Sequence, residues 1–211
     1  MYIQNLFVET DKEVLHQFIR SVCFGTLVLS DGNEFEANPI PFEVVSDKQD
    51  LGILRAHVSS KNPCCEIARK NPNALVTFVG PNAYISPSWM PGSKSHRKVA
   101  PSWNYGAVHV TGRVEVINDK KWIIKHIARL TANLESRREN PWRFKDADAD
   151  FIQSMPTYIT GIEITITDIQ GKFQASQQYS QRTRAAIQEG LLNENGDMGK
   201  QVNRMIADRN K

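Results

Sequence analysis

The stretch from Phe78 to Gly112, FVGPNAYISPSWMPGSKSHRKVAPSWNYGAVHVTG, sets Tyr84, Trp89, Trp103 and Tyr105 among Ser86, Ser88, Ser102 and Asn104, with Lys94, Arg97 and Lys98 between its halves. Flat rings, hydroxyls and cations together suit a flat, phosphorylated ligand, since rings stack on a heterocycle and cationic donors meet an anion. For any one ring the competing role is a core residue whose polar tip finds a hydrogen bond. The stretch lies inside a longer run without a carboxylate, Ile67 to Val114, 48 residues that carry Arg69, Lys70, Lys94, Arg97, Lys98 and Arg113. At the chain-wide frequency of 23 acids in 211 residues, about five would fall there. The local excess of cations marks an anion-facing surface, or else a loop that is merely basic and solvated.

A second candidate is His57-Val58-Ser59-Ser60-Lys61-Asn62, at a strand-to-helix junction. Backbone N–H groups at a helix start, two hydroxyls and a lysine are what a phosphate requires, because orphan donors and the helix dipole both favour an anion. The competing reading is purely structural: Ser60 or Asn62 caps the helix, Pro63 sits in its first turn and Lys61 is solvated.

Other chemistries lack their motifs. No HExxH or comparable histidine spacing argues for a metal, and no GxGxxG, GxxxxGK[ST] or GxSxG pattern is present. The richest motifs contain no acid, which argues against a paired-carboxylate hydrolase. Cys23 and the adjacent Cys64 and Cys65 give neither a disulfide framework nor zinc spacing and read as reduced thiols. A net charge of +3 with a pI near 8.7 falls short of the dense basic stripe of a dominant nucleic-acid binder. No basic leader with an apolar segment and no membrane-spanning run is present, so the expectation is a soluble, intracellular protein.

These residues must be positioned by the elements around them. A helix is expected from Asp11 to Val22, capped by Thr10 with Glu13 completing a capping box. Phe24–Ser30 and Glu34–Val45 read as a hairpin around Asp31-Gly32-Asn33, ending near Asp47, and Leu51–Val58 as a third strand. A short helix opens at Asn62-Pro63 and stops before Asn71-Pro72. Ala74–Val79, Ala83–Ser86 and Tyr105–Ile117 follow as strands, then a helix over Asp119–Glu135 and only a short helix within Arg137–Pro156. A closing strand spans Thr157–Ile169 and ends at Gly171-Lys172. The tail reads as helices at Ser180–Leu192 and Lys200–Arg209, broken at Asn193-Glu194-Asn195-Gly196. Its six cations, Arg182, Arg184, Lys200, Arg204, Arg209 and Lys211, stand against four acids. Two polar helices around a glycine turn superficially resemble a helix-turn-helix, but a packed helical arm is the better reading. The fold class is mainly β with helices (α+β): a small barrel with peripheral helices over residues 1–179 and a C-terminal helical arm over residues 180–211.

The blocks ANPIPF, LRAHVSSKNP, GPNAYISPSWMPGSK, PSWNYGAVHVTG, LTANLE, ITGIEI and GKFQASQ resemble the PaiB family of FMN-binding negative transcriptional regulators, split barrels related to pyridoxamine phosphate oxidase. The resemblance covers nearly the whole chain. It implies a homodimer with FMN at the subunit interface, and DNA as a partner by family analogy. HVSSKNP matches a block usually reading like HVARANP, so His57, Ser59, Ser60, Lys61 and Asn62 are implied at the phosphate and ribityl chain. The arginine usual at Ser60 is absent, and Lys61 is its neighbouring substitute without the bidentate fork. The ring side is implied at Ser102, Trp103, Asn104 and Tyr105, with Thr26 and Asn38 on flavin-facing strands. GKFQASQQ resembles a block usually reading KLSQN, which nominates Ser176 and Gln177. An alternative function is an FMN-dependent reductase or oxidase using His57, His96 or Tyr105 for proton transfer; a third is haem binding on the same barrel.

Overall fold

The computed structural model describes residues 1–45, 51–96, 99–194 and 196–210, and for Lys94 and His96 the backbone alone. Asp47, Arg97, Lys98, Asn195 and Lys211, with the Lys94 and His96 side chains, therefore lie outside the described residues. In chain order the elements are β1 (Val8–Glu9), α1 (Lys12–Val22), β2 (Phe24–Ser30), β3 (Phe35–Pro41), β4 (Glu43–Val45), β5 (Ile53–Ser59), α2 (Cys64–Lys70), β6 (Asn73–Ile85) and α3 (Ser93–His96). They continue as β7 (Ser102–Ile117), α4 (Lys120–Glu135), α5 (Ala149–Ser154), β8 (Ile159–Gln174), α6 (Gln181–Glu194) and α7 (Gly196–Arg209). The class is α+β.

Strand order is β3-β2-β6-β7-β8-β5-β4, with β1 added to β8. The two ends of this path, β3 and β4, are joined by Phe42 alone, so covalent continuity curls the sheet round on itself. The sequence reading had one strand from Glu34 to Val45; the chain breaks it at Phe42, which is buried and whose N–H donates to the Cys23 carbonyl at 2.8 Å. Beyond that break β4 leaves β2's side and pairs with β5, Val44 facing Leu54.

Contacts divide the chain into two units, one of Met1–Phe18, Val79–His109 and Gln170–Lys211, the other of Ile19–Phe78 and Val110–Ile169. In the second, alternation along β2 and β5 buries Leu27, Leu29, Leu54, Ala56 and Val58. In the first, Phe18 meets Phe173 edge-on at 5.1 Å, and α6 and α7 bury Ile187, Leu191, Val202 and Ile206.

Several boundaries depart from expectation for local reasons. Asp11, not Thr10, caps α1: its carboxylate accepts from the N–H groups of Glu13 and Val14 at 2.8 and 3.1 Å. The two strands expected over Ala74–Ser86 are one, β6. The closing strand continues through Gly171-Lys172, because β1 pairs there, Val8 with Lys172 and Glu9 with Gly171. Gly171 serves packing: a Cβ on it would stand 2.2 Å from a Leu15 methyl.

Candidate functional site

In the second unit β5 pairs with β8, His57 opposite Gly161 and Ser59 opposite Ile159, so Arg55, His57 and Ser59 share the face away from the buried Leu54, Ala56 and Val58. The chain then turns through Ser59-Ser60-Lys61, all exposed, into α2. The amides that a helix start offers an anion are already committed here. Ser60 N–H donates to the Tyr158 carbonyl at 2.9 Å, Lys61 N–H to the Ser59 hydroxyl at 3.3 Å and Asn62 N–H to the Ser59 carbonyl at 2.9 Å. Cys64 N–H donates to the Asn62 side-chain oxygen at 2.9 Å. Asn62 thus caps the helix, while its own amide donates to the Asn38 side-chain oxygen at 2.7 Å. An anion at this turn is left with side chains: the Lys61 ammonium and the hydroxyls of Ser59 and Ser60, the latter donating to the Thr157 carbonyl at 3.4 Å.

His57 belongs to a chain of polar groups. Its Nδ1 is 3.2 Å from Nε2 of His126 on α4, and His126 Nδ1 lies 3.7 Å from a Glu43 oxygen, which Arg129 binds at 2.7 Å. His126 is buried, its Nδ1 has no hydrogen-bond partner among the described residues, and its ring stacks on Trp122 with centroids 5.1 Å apart. Gly161 makes room for that tryptophan, since a Cβ there would lie 2.3 Å from the indole. Burial, then the neighbouring His126, pushes His57 down to about 4, so it is neutral at pH 7. Burial pushes the Glu43 carboxyl up, but His126 and Arg129 outweigh it and hold the group below the usual range.

Thr26 and Asn38 occupy different faces. Thr26 pairs with Pro39 and Asn38 with Leu27, so by the alternation of side chains they point oppositely from the β2–β3 ribbon. Asn38 is also held by Asn62 and donates to Glu36 at 3.3 Å.

The ring-side nominees fall in the first unit. Trp103 is 49% exposed, its indole N–H donating to Asn82 at 3.1 Å, with Tyr84 edge-on at 6.0 Å and 44% exposed. These two rings are surface, not core. Tyr105 is half-buried with the Lys172 ammonium 5.3 Å from its ring centre, and Ser102, at the start of β7, is half-buried as well. Asn104 and Ser176 are both buried, and the Asn104 amide donates to the Ser176 hydroxyl at 2.8 Å. Gln177 folds back on its own turn, donating to the Phe173 carbonyl at 2.6 Å and accepting from Ala175 N–H at 2.7 Å. Trp89 is structural: it packs where Gly190 leaves room and donates to Glu194 at 2.9 Å, fastening α6.

Sequence reasoning missed both Glu43 and His126. The available signal was a histidine spaced with Ile123 and Leu130 on one face of α4, which must find a polar partner when buried.

In the second unit an exposed ammonium with hydroxyls suits a dianionic phosphate; in the first an exposed indole and phenol suit a flat ring, so each set by itself fits one part of a flavin mononucleotide. Residues 1–168 match the family described as "Putative FMN-binding domain". The chain is 28% identical over 211 residues to the Bacillus subtilis (strain 168) "Protease synthase and sporulation protein PAI 2", covering 100% of this chain and 99% of that protein. It is 27% identical over 244 residues to the uncharacterized protein AN0679 of Emericella nidulans, covering 99% and 97%. Among solved structures it resembles the FAD and heme binding protein from Mycobacterium smegmatis, with a TM-score of 0.61, 18% identity, and coverage of 87% of this chain and 80% of that one. That likeness shows the shared barrel fold. The family match along residues 1–168, together with the full-length relative, means that the chain belongs to the PaiB family of FMN-binding split-barrel proteins.

Proposed function

We propose that this protein is an FMN-binding homodimer that regulates transcription negatively, with its flavin as the state it reads. The observation that carries the binding mode is the exposed turn Ser59-Ser60-Lys61, whose ammonium makes no ion pair among the described residues. Lys61 and the two hydroxyls hold the phosphate, while Trp103 and Tyr105 serve the ring. His57, Asn38 and Asn62 brace the phosphate turn; Asn104, Ser176 and Gln177 brace the backbone of the ring side. Bound flavin supplies the electron chemistry, and the protein groups bind, orient and shield it. With the turn's amides committed internally, affinity for the phosphate rests on side-chain charge and is strongly dependent on salt.

The helical arm supports a regulatory route through the flavin in preference to a base-reading helix. Arg184 donates to the Tyr179 carbonyl, Lys200 pairs with Asp197, and Arg209 pairs with Glu9 beside the Phe173 ring. Half of the tail's cations are therefore engaged within their own unit, and the apolar side chains that a recognition helix needs for its scaffold hold α6 to α7. A second reading, an FMN-dependent oxidoreductase, is favoured by His57, an imidazole neutral at pH 7 and able to accept a proton.

An absorbance and fluorescence titration with FMN and riboflavin tests the proposal. Tight FMN binding with much weaker riboflavin binding is expected, and Lys61→Ala should weaken FMN binding more at low salt than above about 0.1 M, where the Debye length is about 10 Å. Equal affinity of the variant and the parent removes Lys61 from the site. Failure of both flavins to bind, or a Soret band in the purified protein, overturns the reading. Steady NAD(P)H oxidation by the FMN-loaded protein would favour the oxidoreductase.

A further inference from the structure

A cavity of about 460 Å³ opens in the second unit, where the end of α1, β4 and the end of α4 come together. Its volume lies within the usual range for small-molecule sites. None of the residues nominated for the flavin lines it. Its apolar wall includes Phe42, Val44 and Leu130, all three buried. Arg20, Arg137 and one carboxylate, Glu43, stand in the lining. Glu43 is already bound by Arg129 at 2.7 Å, while Arg137 is exposed and makes no ion pair among the described residues, so the charge the cavity offers a guest is the Arg137 guanidinium.

Cys23, also in the lining, adds an independent sign. It follows α1 with φ at 59°, the left-handed conformation that favours glycine at a helix end, and its N–H donates to the Ile19 carbonyl at 2.7 Å. A side chain kept where glycine is cheaper is a strained feature of the kind that clusters at ligand sites. Its thiol donates to the Phe42 carbonyl at 3.3 Å, which holds it at the cavity wall.

We infer that this cavity is a second ligand site, which takes a small organic carboxylate with an apolar body, its headgroup at Arg137 and its body along Phe42, Val44 and Leu130. Guanidinium is the donor best matched to a carboxylate, with two parallel N–H groups for its two oxygens. The site is separate from the flavin and does not depend on its being bound.

Cys23 gives the readout. It is half-buried, whereas Cys64 and Cys65 are buried and serve as internal controls in the same sample. Burial pushes the Cys23 thiol up, so labelling is run at about pH 8.5. The rate of iodoacetamide modification at Cys23 is followed by peptide mass spectrometry on the full chain with octanoate, octanol or octylamine as probe. Octanoate should protect Cys23 at lower concentration than either isosteric control. Arg137→Gln, at an exposed position, should raise the octanoate concentration needed by about fivefold, the size of a partly exposed charge contact, and leave octanol unaffected. Saturating FMN should leave protection unchanged. Equal protection by all three headgroups, or none at millimolar concentration, overturns the proposal, as does displacement of octanoate by FMN, which would place the cavity within the flavin site.

Discussion

His57 and Lys61 end the same strand and turn, yet their surroundings differ. Lys61 projects into solvent. His57 is half-buried and faces His126, so burial first and that neighbour second resist its protonation and hold it at about 4 against an ordinary 6.5. The unfolded chain therefore takes up a proton as pH falls below about 6.5 while the folded chain does not until about 4, and stability is lost across that window. Glu43 and Glu9, whose partners hold them below the usual carboxylate range, lose their contribution further down as pH falls through their folded values. Acid thus weakens the fold at every one of these groups. Urea midpoints for the parent should fall between pH 7 and pH 5, and those for His57→Gln should fall less; parallel curves would show that His57 does not titrate with folding. Trp103→Ala tests the other end of the proposal. Because the ring is half exposed, folding stability should change by no more than about 0.5 kcal/mol, while flavin affinity should drop by about 0.5–1.5 kcal/mol of stacking. A collapse in stability would instead make the ring structural.

At the scale of elements, glycine positions decide more than propensity does. Gly190 lies within α6, where alanine would ordinarily stabilise a helix by about 1 kcal/mol. A Cβ there would stand 2.3 Å from the Trp89 indole, which also donates to Glu194 on the same helix. Gly190→Ala should therefore destabilise the docking of α6, seen as faster hydrogen exchange in Gln181–Glu194 and altered tryptophan fluorescence; slower exchange would mean that the indole yields easily and propensity wins. The helices and most strands were readable from periodicity and caps because those signals are local. Asp119 accepts from Trp122 N–H at 2.7 Å and starts α4 where the pattern placed it. The end of β8 was not readable. Gly171-Lys172 looks like a stop, and only the arrival of β1 and the methyl of Leu15 turns it into mid-strand.

For the whole molecule, FMN binding should appear as global stability, since a ligand that binds only the folded state adds about 2.7 kcal/mol at a hundredfold excess over its Kd. For a chain of this size that corresponds to a rise of roughly 5–10 °C in Tm. Riboflavin at the same concentration should give a much smaller rise, and an equal one would remove the phosphate from the account. Sedimentation of the same samples measures the proposed dimer. The sequence by itself determined the α+β class, the family through its central blocks, and the exposed-turn and aromatic nominees, because alternation, capping and short motifs are written in adjacent residues. Tertiary structure alone decided which nominees are exposed. It set Asn104 against Ser176 across 72 positions, buried His126 between His57 and Glu43, and sent Thr26 and Asn38 to opposite faces through strand register. It also made a cavity from α1, β4 and α4, segments far apart in the chain. Burial, register and partnership are properties of pairs of distant residues, and no local pattern carries them.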